Sequence, residues 1–259
     1  MKIVVVGSGA VAVNLAFGFA TTTRFQVEIA SRNPQKAKEI ADGLDLKVKA
    51  TAIEKCDKNA DLYIIAVADR AIEEVYRILV GRISPAAPIV HTSGSTSIEI
   101  FGEDAHSVGV LYPLQTFSRN RIIDLREVPF YLEAKDEHLK RVLIKAVEAL
   151  EAKWDWLESD KRKAIHVAAV FACNFTNYMM ACANEVLNHE GLNITALQPL
   201  IEETVSKALE SENPIAVQTG PARRNDSKTI FLHEQYLKNN PELRELYATI
   251  SQKIMRKFE

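Results

Sequence analysis

The sequence predicts a doubly wound α/β sheet over residues 1–153 and an all-helical part over residues 154–259. Three observations carry this. Short apolar runs alternate with stretches of helical apolar spacing through the first part, a rhythm that fits parallel strands with helices on both faces. A glycine-rich turn, Gly7-Ser8-Gly9-Ala10-Val11-Ala12, separates the first apolar run from the first helical stretch. After "KWDWLES" no strand pattern returns and helical periodicity takes over.

In chain order, residues 3–6 read as a strand, 10–20 as a helix, 25–30 as a strand and 34–44 as a helix. "LKVKA" (46–50) and "DLYIIAVA" (61–68) read as strands, and "DRAIEEVYRILV" (69–80) as an amphipathic helix. "APIVHTSG" (87–94), "SVGVLYPLQTF" (107–117) and "PFYLEA" (129–134) add strands, and 136–152 adds a helix. Beyond residue 154, a mostly apolar helix over 160–190, a helix over 195–212 and two helices over 227–259 broken near Pro241 complete the pattern.

Composition narrows the function classes. With 47% hydrophobic and 25% charged residues and a net charge of −2, the chain reads as an ordinary globular protein. No Lys/Arg cluster supports a nucleic-acid or anionic-membrane partner. The opening run is broken by glycines after four apolar residues, so it is not read as a secretion signal. No apolar run is read as long enough to span a bilayer. Cys56, Cys173 and Cys182 form no CxxC pair and are odd in number, which predicts reduced thiols in a cytoplasmic protein and no metal site.

The turn at Gly7 carries the strongest functional signal. In a strand–turn–helix setting the first glycine makes the tight turn and the second lets backbone N–H groups approach a pyrophosphate. The small third residue, Ala12, lets helix and strand pack closely. The helix N-terminus adds partial positive charge. Gly7, Ser8, Gly9, Ala10 and Val11 are therefore the expected phosphate-binding residues of a Rossmann-type dinucleotide site. At the end of the second strand stand Ser31, Arg32 and Asn33, with Lys36 a turn later, and no carboxylate. That set suits a 2′-phosphate, so NADP(H) is expected over NAD(H); Glu28 falls too early and inside the strand. Ala66, Val67 and Ala68, at the end of the fourth strand, and Ser93 and Gly94, after the fifth, complete the expected cofactor contacts. Asp69 reads first as a helix cap, and Ser97 as a cap with Glu99.

In the helical part, Lys163, His166, Asn174 and Asn177 share one side of an otherwise apolar helix, which is expected to be buried. Such a stripe needs polar partners, supplied either by the protein or by a ligand cleft. Histidine is the side chain that titrates nearest to neutral pH, which makes His166 a candidate proton donor beside Asn174 and Lys163. "TGPARRND" crowds Arg223, Arg224 and Asp226 into a turn. The group is either an Arg–Asp lock or a grip on a substrate carboxylate or phosphate through Arg224.

The stretches "VVVGSGAVA", "AVADRAIEEV", "VHTSGS", "YPLQTF", "HVAAVFACNF" and "TGPARRND" together resemble a family. Its members pair a Rossmann-like domain with a C-terminal helical domain of unknown function 2520. They are relatives of pyrroline-5-carboxylate reductases and of the 6-phosphogluconate and β-hydroxyacid dehydrogenases. The resemblance implies an NADP-linked oxidoreductase-like fold, a helical domain like the C-terminal part of 6-phosphogluconate dehydrogenase, and a homodimer built through it. Tyr112 of "YPLQTF" is a further candidate proton donor, expected beside His166 with the Ser93 loop completing the pocket, and Gln115, Asn177 and Arg224 are the candidate substrate contacts. The family usually has His where Tyr112 stands, and Arg-Gly-Asp where this chain has Arg224-Asn225-Asp226; Asn tolerates the left-handed backbone that such a turn needs. The expected activity is hydride transfer to or from a small polar carbonyl or imine. The alternatives are a nucleotide sensor without catalysis and a deazaflavin (coenzyme F420)-linked NADP oxidoreductase.

Overall fold

The computed structural model describes residues 1–259. An eight-stranded sheet runs in the order β3-β2-β1-β4-β5-β6-β7-β8. Its strands are β1 (Lys2–Val6), β2 (Gln26–Ser31), β3 (Val48–Ala52), β4 (Leu62–Ile65), β5 (Ile89–His91), β6 (Val108–Pro113), β7 (Phe130–Ala134) and β8 (Trp154–Trp156). All neighbours pair in parallel except β6 and β7, which run antiparallel. The order reverses at β1, which pairs with β2 on one side and β4 on the other. In an open α/β sheet such a switch point leaves a crevice at the carboxyl ends of the strands.

Alternation along β1 builds both faces of the core, as period-two strand geometry requires. Ile3 and Val5 join a cluster with Leu15 and Phe19 of α1 (Ala10–Thr21), Ala37 of α2 (Pro34–Gly43), and Leu139, Leu143 and Val147 of α4 (Glu137–Ala149). Val4 and Val6 join the opposite cluster with Ile72, Val75 and Leu79 of α3 (Ile72–Val80). Two of the helices are fixed at their starts by side-chain caps: Asn33 accepts from the Gln35 and Lys36 amides and caps α2, and Asp136 accepts from the Leu139 amide and caps α4.

The chain divides into two compact units, Met1–Cys173 and Asn174–Glu259, so the boundary lies later than the change of texture near 154 predicts. The reason is β8 and α5 (Ser159–Ala169). β8 pairs with β7, and α5 is held to β7 by Arg162, fully buried and ion-paired with Glu133. A π-helical turn, Val170–Phe175, carries the boundary. The second unit contains α6 (Thr176–His189), α7 (Gln198–Glu210), α8 (Ser227–Tyr236) and α9 (Pro241–Met255).

Two further expectations are corrected. The helix over 160–190 was expected to be buried, but α6 has no buried residue and α5 buries only Arg162. Counted through the π turn, Ser159–His189 spans 31 residues and holds an 18-residue window of mean hydropathy 1.2, long and apolar enough to cross a membrane by length and composition.

Candidate functional site

Gly7, Ser8, Gly9, Ala10 and Val11 line a cavity of about 380 Å3 at the carboxyl end of β1, together with Ser31, Arg32, Ala66, Val67, Ala68 and Thr92. Gly7 has φ +150°, and a Cβ there would lie 2.1 Å from the Ala66 carbonyl oxygen, so no other residue fits this turn. A Cβ on Gly9 would meet nothing within 4 Å. Gly9 heads α1 without a side-chain cap, and no acidic residue stands in the first turn, so the leading amides and their partial charge are free for an anion. Ala12 is fully buried against the turn. These features fit a dinucleotide: close backbone approach, open amides and a cradle at the switch point.

At the end of β2, Ser31 is nearly buried and its hydroxyl accepts from the Asn33 amide at 3.2 Å. Arg32 reaches across to Glu74 of α3 at 3.3 Å; both side chains are exposed. Lys36 does not line the same cavity but an adjoining one. Glu28 is structural, as its position in the strand implies: its carboxylate accepts from the Thr51 hydroxyl and the Asp57 amide and pairs with Lys49.

The next strands bring the candidate proton donor. A Cβ on Gly94 would lie 2.6 Å from His166 Nδ1 and 2.7 Å from Tyr112 Cζ, so the glycine lets both rings pack onto the loop after β5. Tyr112, near the end of β6, shares a hydrogen bond with His166 Nδ1 at 3.0 Å. Burial pushes the Tyr112 hydroxyl up from its ordinary pKa, with the nearby Arg162 charge opposing it. In the neutral pair Tyr112 donates to Nδ1 and the ring proton sits on Nε2; in the imidazolium, Nδ1–H donates to the Tyr112 oxygen.

The loop itself is tied down. Ser93 Oγ accepts from the Ser95 and Thr96 amides, and the Ser95 hydroxyl donates to Asp69 at 2.6 Å. Asp69 lies inside a short 3-10 turn and its helix-cap role is not seen, whereas Ser97 does cap Glu99. Arg162 donates to the Thr96 carbonyl at 2.6 Å and to Ser159 Oγ at 3.1 Å. His91, fully buried at the end of β5, accepts from the Ser93 amide. Burial, reinforced by the Arg162 charge, holds its pKa down at about 4, so it is a neutral strut.

The other expected residues fare differently. Lys163 is exposed, and the adjacent Arg162 is the buried cation of the pair. Gln115 is exposed and accepts from the Thr116 amide. Asn174 and Asn177 belong to the second unit and are exposed. In that unit Asn225 does adopt the left-handed conformation, φ 54°. Asp226 caps α8 by accepting from the Thr229 amide and hydroxyl. Arg223 stacks 3.8 Å over Phe258, while Arg224 is exposed, so no Arg–Asp lock forms. The sequence reading missed Thr92, Arg162 and the Ser95–Asp69 bond. Arg162 alone had a usable signal, standing one helical turn before His166.

Comparison with known proteins agrees with this geometry. Residues 2–92 match the family described as NADP oxidoreductase, coenzyme F420-dependent, and residues 128–254 match a domain of unknown function, DUF2520. BF3122 from Bacteroides fragilis, assigned as an NADP oxidoreductase, has a solved structure with 35% identity, 98% of each chain covered and a TM-score of 0.90. Protein TM1727 from Thermotoga maritima has 24% identity, with 99% of this chain and 97% of that one covered and a TM-score of 0.68. A pyrroline-5-carboxylate reductase from Coxiella burnetii has 16% identity, with 97% of each covered and a TM-score of 0.57, a likeness of fold. No curated protein matched. With a nucleotide cradle at one end of the match and the DUF2520 part at the other, the chain belongs to the NADP oxidoreductase family that BF3122 represents.

Proposed function

We propose that this chain is an NADP(H)-dependent oxidoreductase acting on a small polar carbonyl or imine. One observation carries the reading: the Gly7–Val11 cradle and the Tyr112–His166 pair stand at the same, carboxyl, edge of one sheet, joined by the loop Thr92–Gly94. The nicotinamide supplies or accepts the hydride. The amides of the Gly7–Val11 turn hold the pyrophosphate, and Ser31, Arg32 and Lys36 serve the 2′-phosphate. Ala66–Ala68, Ser93 and Gly94 bound the nicotinamide end. His166 delivers the proton that a reduced carbonyl or imine needs, with Tyr112 fixing its ring and tautomer. Asn174, Lys163, Gln115, Asn177 and Arg224 are the remaining candidates for holding the substrate.

The nucleotide-sensor reading keeps the cradle and discards the proton donor; the Tyr112–His166 bond favours catalysis over it. The deazaflavin reading is supported by the description of the family matched over residues 2–92. We also infer a homodimer through the helical unit, since Leu200 (63% exposed) and Leu209 (82% exposed) stand outside any core in one chain. The reduced-thiol pattern supports a cytoplasmic setting, and the net charge of −2 gives no electrostatic support for a nucleic-acid partner.

The test is a titration with NADPH and NADH, followed by consumption of NADPH in the presence of small ketones, imines and a deazaflavin. NADPH binding several-fold tighter than NADH and turnover with a carbonyl or imine are expected, with turnover falling about 10²-fold or more in His166→Gln. Tight binding with no turnover by any acceptor favours the sensor, and turnover with the deazaflavin alone favours that alternative.

A further inference from the structure

We propose that Arg119, on the loop after β6, is a specificity residue that binds the 2′-phosphate of NADP(H) together with Lys36; this rests on the NADP(H) reading above. The loop is built to hold that position. Asn14 is fully buried on α1 and spends its amide on backbone groups. Its Nδ2 donates to the Ala10 carbonyl at 2.9 Å and the Arg121 carbonyl at 3.5 Å, and its Oδ1 accepts from the Ile123 amide at 2.8 Å. A buried amide with both ends used is a fixed strut, costly to disrupt. Ser118 and Arg121 bridge in antiparallel fashion, which leaves Arg119 and Asn120 at the tip.

That tip lines a cavity of about 400 Å3 with Ser8, Lys36 and Glu39. Ser8 also lines the nucleotide cavity, so the two spaces meet at the glycine-rich turn. Lys36 stands in the first turn of α2, directly after the strand end where ribose hydroxyls are read in this type of sheet. The leading amides of α1 are already suited to the pyrophosphate. The charge balance points the same way. Arg32 is turned to Glu74, which partly neutralises it. Lys36 and Arg119 form no ion pair, and Glu39 is the one carboxylate lining their cavity. Two cations against one carboxylate leave a net positive site for a dianionic phosphate, and a guanidinium can grip such a group with two N–H donors.

The experiment is calorimetric titration of the full chain with NADPH and with NADH, using wild type, Arg119→Ala and Arg119→Lys. Arg119 is exposed, so both variants are expected to fold. The proposal expects wild type to prefer NADPH. Arg119→Ala should weaken NADPH by about ten-fold, the effect of one lost charge-assisted contact, and leave NADH unchanged. Arg119→Lys should recover part of the loss. Equal weakening of both nucleotides would place Arg119 on the pyrophosphate and overturn the assignment. A wild-type preference for NADPH that survives intact in Arg119→Ala would overturn the proposal while leaving the NADP(H) reading standing. No preference in wild type would overturn both.

Discussion

The two compact units differ in where their apolar side chains go. In Met1–Cys173 both faces of the sheet are covered, and every member of the two core clusters belongs to that unit. In Asn174–Glu259 the buried residues are Ala222, Ile230, Leu243 and Ser251, while Tyr178, Leu200, Leu209, Phe231 and Leu232 are exposed. The first unit closes its own core and needs nothing else to hold the cradle at its carboxyl edge. The second has the helical spacing of a packed domain but leaves much of its apolar surface unpacked within one chain, which is the physical ground for proposing a second copy. The contrast also separates two uses of polar groups. The first unit buries Arg162, His91 and Asn14, each hydrogen-bonded although His91 Nε2 and Arg162 Nε have no partner, whereas in the second Asn174 and Asn177 stay on the outside.

The contrast breaks or sharpens most strongly under truncation of paired leucines. Leu62→Ala, in the centre of the sheet, is expected to lower the unfolding free energy of the first unit by about 2–5 kcal/mol. Leu200→Ala, in the second, is expected to cost under about 0.5 kcal/mol in dilute monomer and to weaken self-association in concentrated protein. Hydrogen exchange resolved by segment, with sedimentation, reads both. Equal costs at the two sites in the monomer would mean that the second unit has a closed core after all.

A smaller, pH-dependent difference follows from His91. Its folded pKa of about 4 lies below the ordinary histidine value. The unfolded chain therefore takes up the proton first, and stability falls as pH drops from about 6.5 toward 4, with a slope up to about 1.4 kcal/mol per pH unit. Below that window the contribution levels off. His91→Phe is expected to remove this part of the slope in the first unit. Denaturant unfolding between pH 4 and pH 7 measures it, and an unchanged slope in the variant would contradict the neutral-strut assignment.

The smallest effect expected belongs to the turn before α8. Asn225 has φ 54°, so Asn225→Val is expected to cost about 1–2 kcal/mol and Asn225→Gly close to nothing. Thermal unfolding of the second unit distinguishes them; equal costs would show that the turn, not its handedness, is what matters.

Much of the nucleotide half was legible in the sequence because its signals are local. A strand, two glycines, a small residue and a helix lie within a dozen positions, and each does its work through backbone geometry that the residue type dictates. The strand periods of β1, β2 and β4 were equally plain. What was lost depends on partners far along the chain. β8 is three residues long and exists because β7 offers an edge. Arg162 looked like one of several surface cations in "KRKAIH" until Glu133 and the Thr96 carbonyl were seen around it. The same missing partner displaced the predicted boundary, since without the Arg162–Glu133 pair α5 reads as the start of the helical part. The choice of Lys163 over Arg162 shows the limit of helical-wheel reasoning: spacing assigns a side of a helix, and only the neighbouring element decides which side is buried. The sequence reading sets Tyr112 beside His166; what it does not show is that their hydrogen bond depends on Gly94, whose missing side chain is the space both rings use.

The central claim is that the Gly7–Val11 cradle and the Tyr112–His166 pair serve one bound dinucleotide. A crystal structure of the protein with NADPH tests it most directly. The account predicts the pyrophosphate against the Gly7–Val11 amides, and the nicotinamide ring beside Thr92–Gly94 with the Tyr112–His166 pair next to it. A nucleotide bound at another edge of the sheet, or a nicotinamide end directed away from Gly94 and His166, would contradict it.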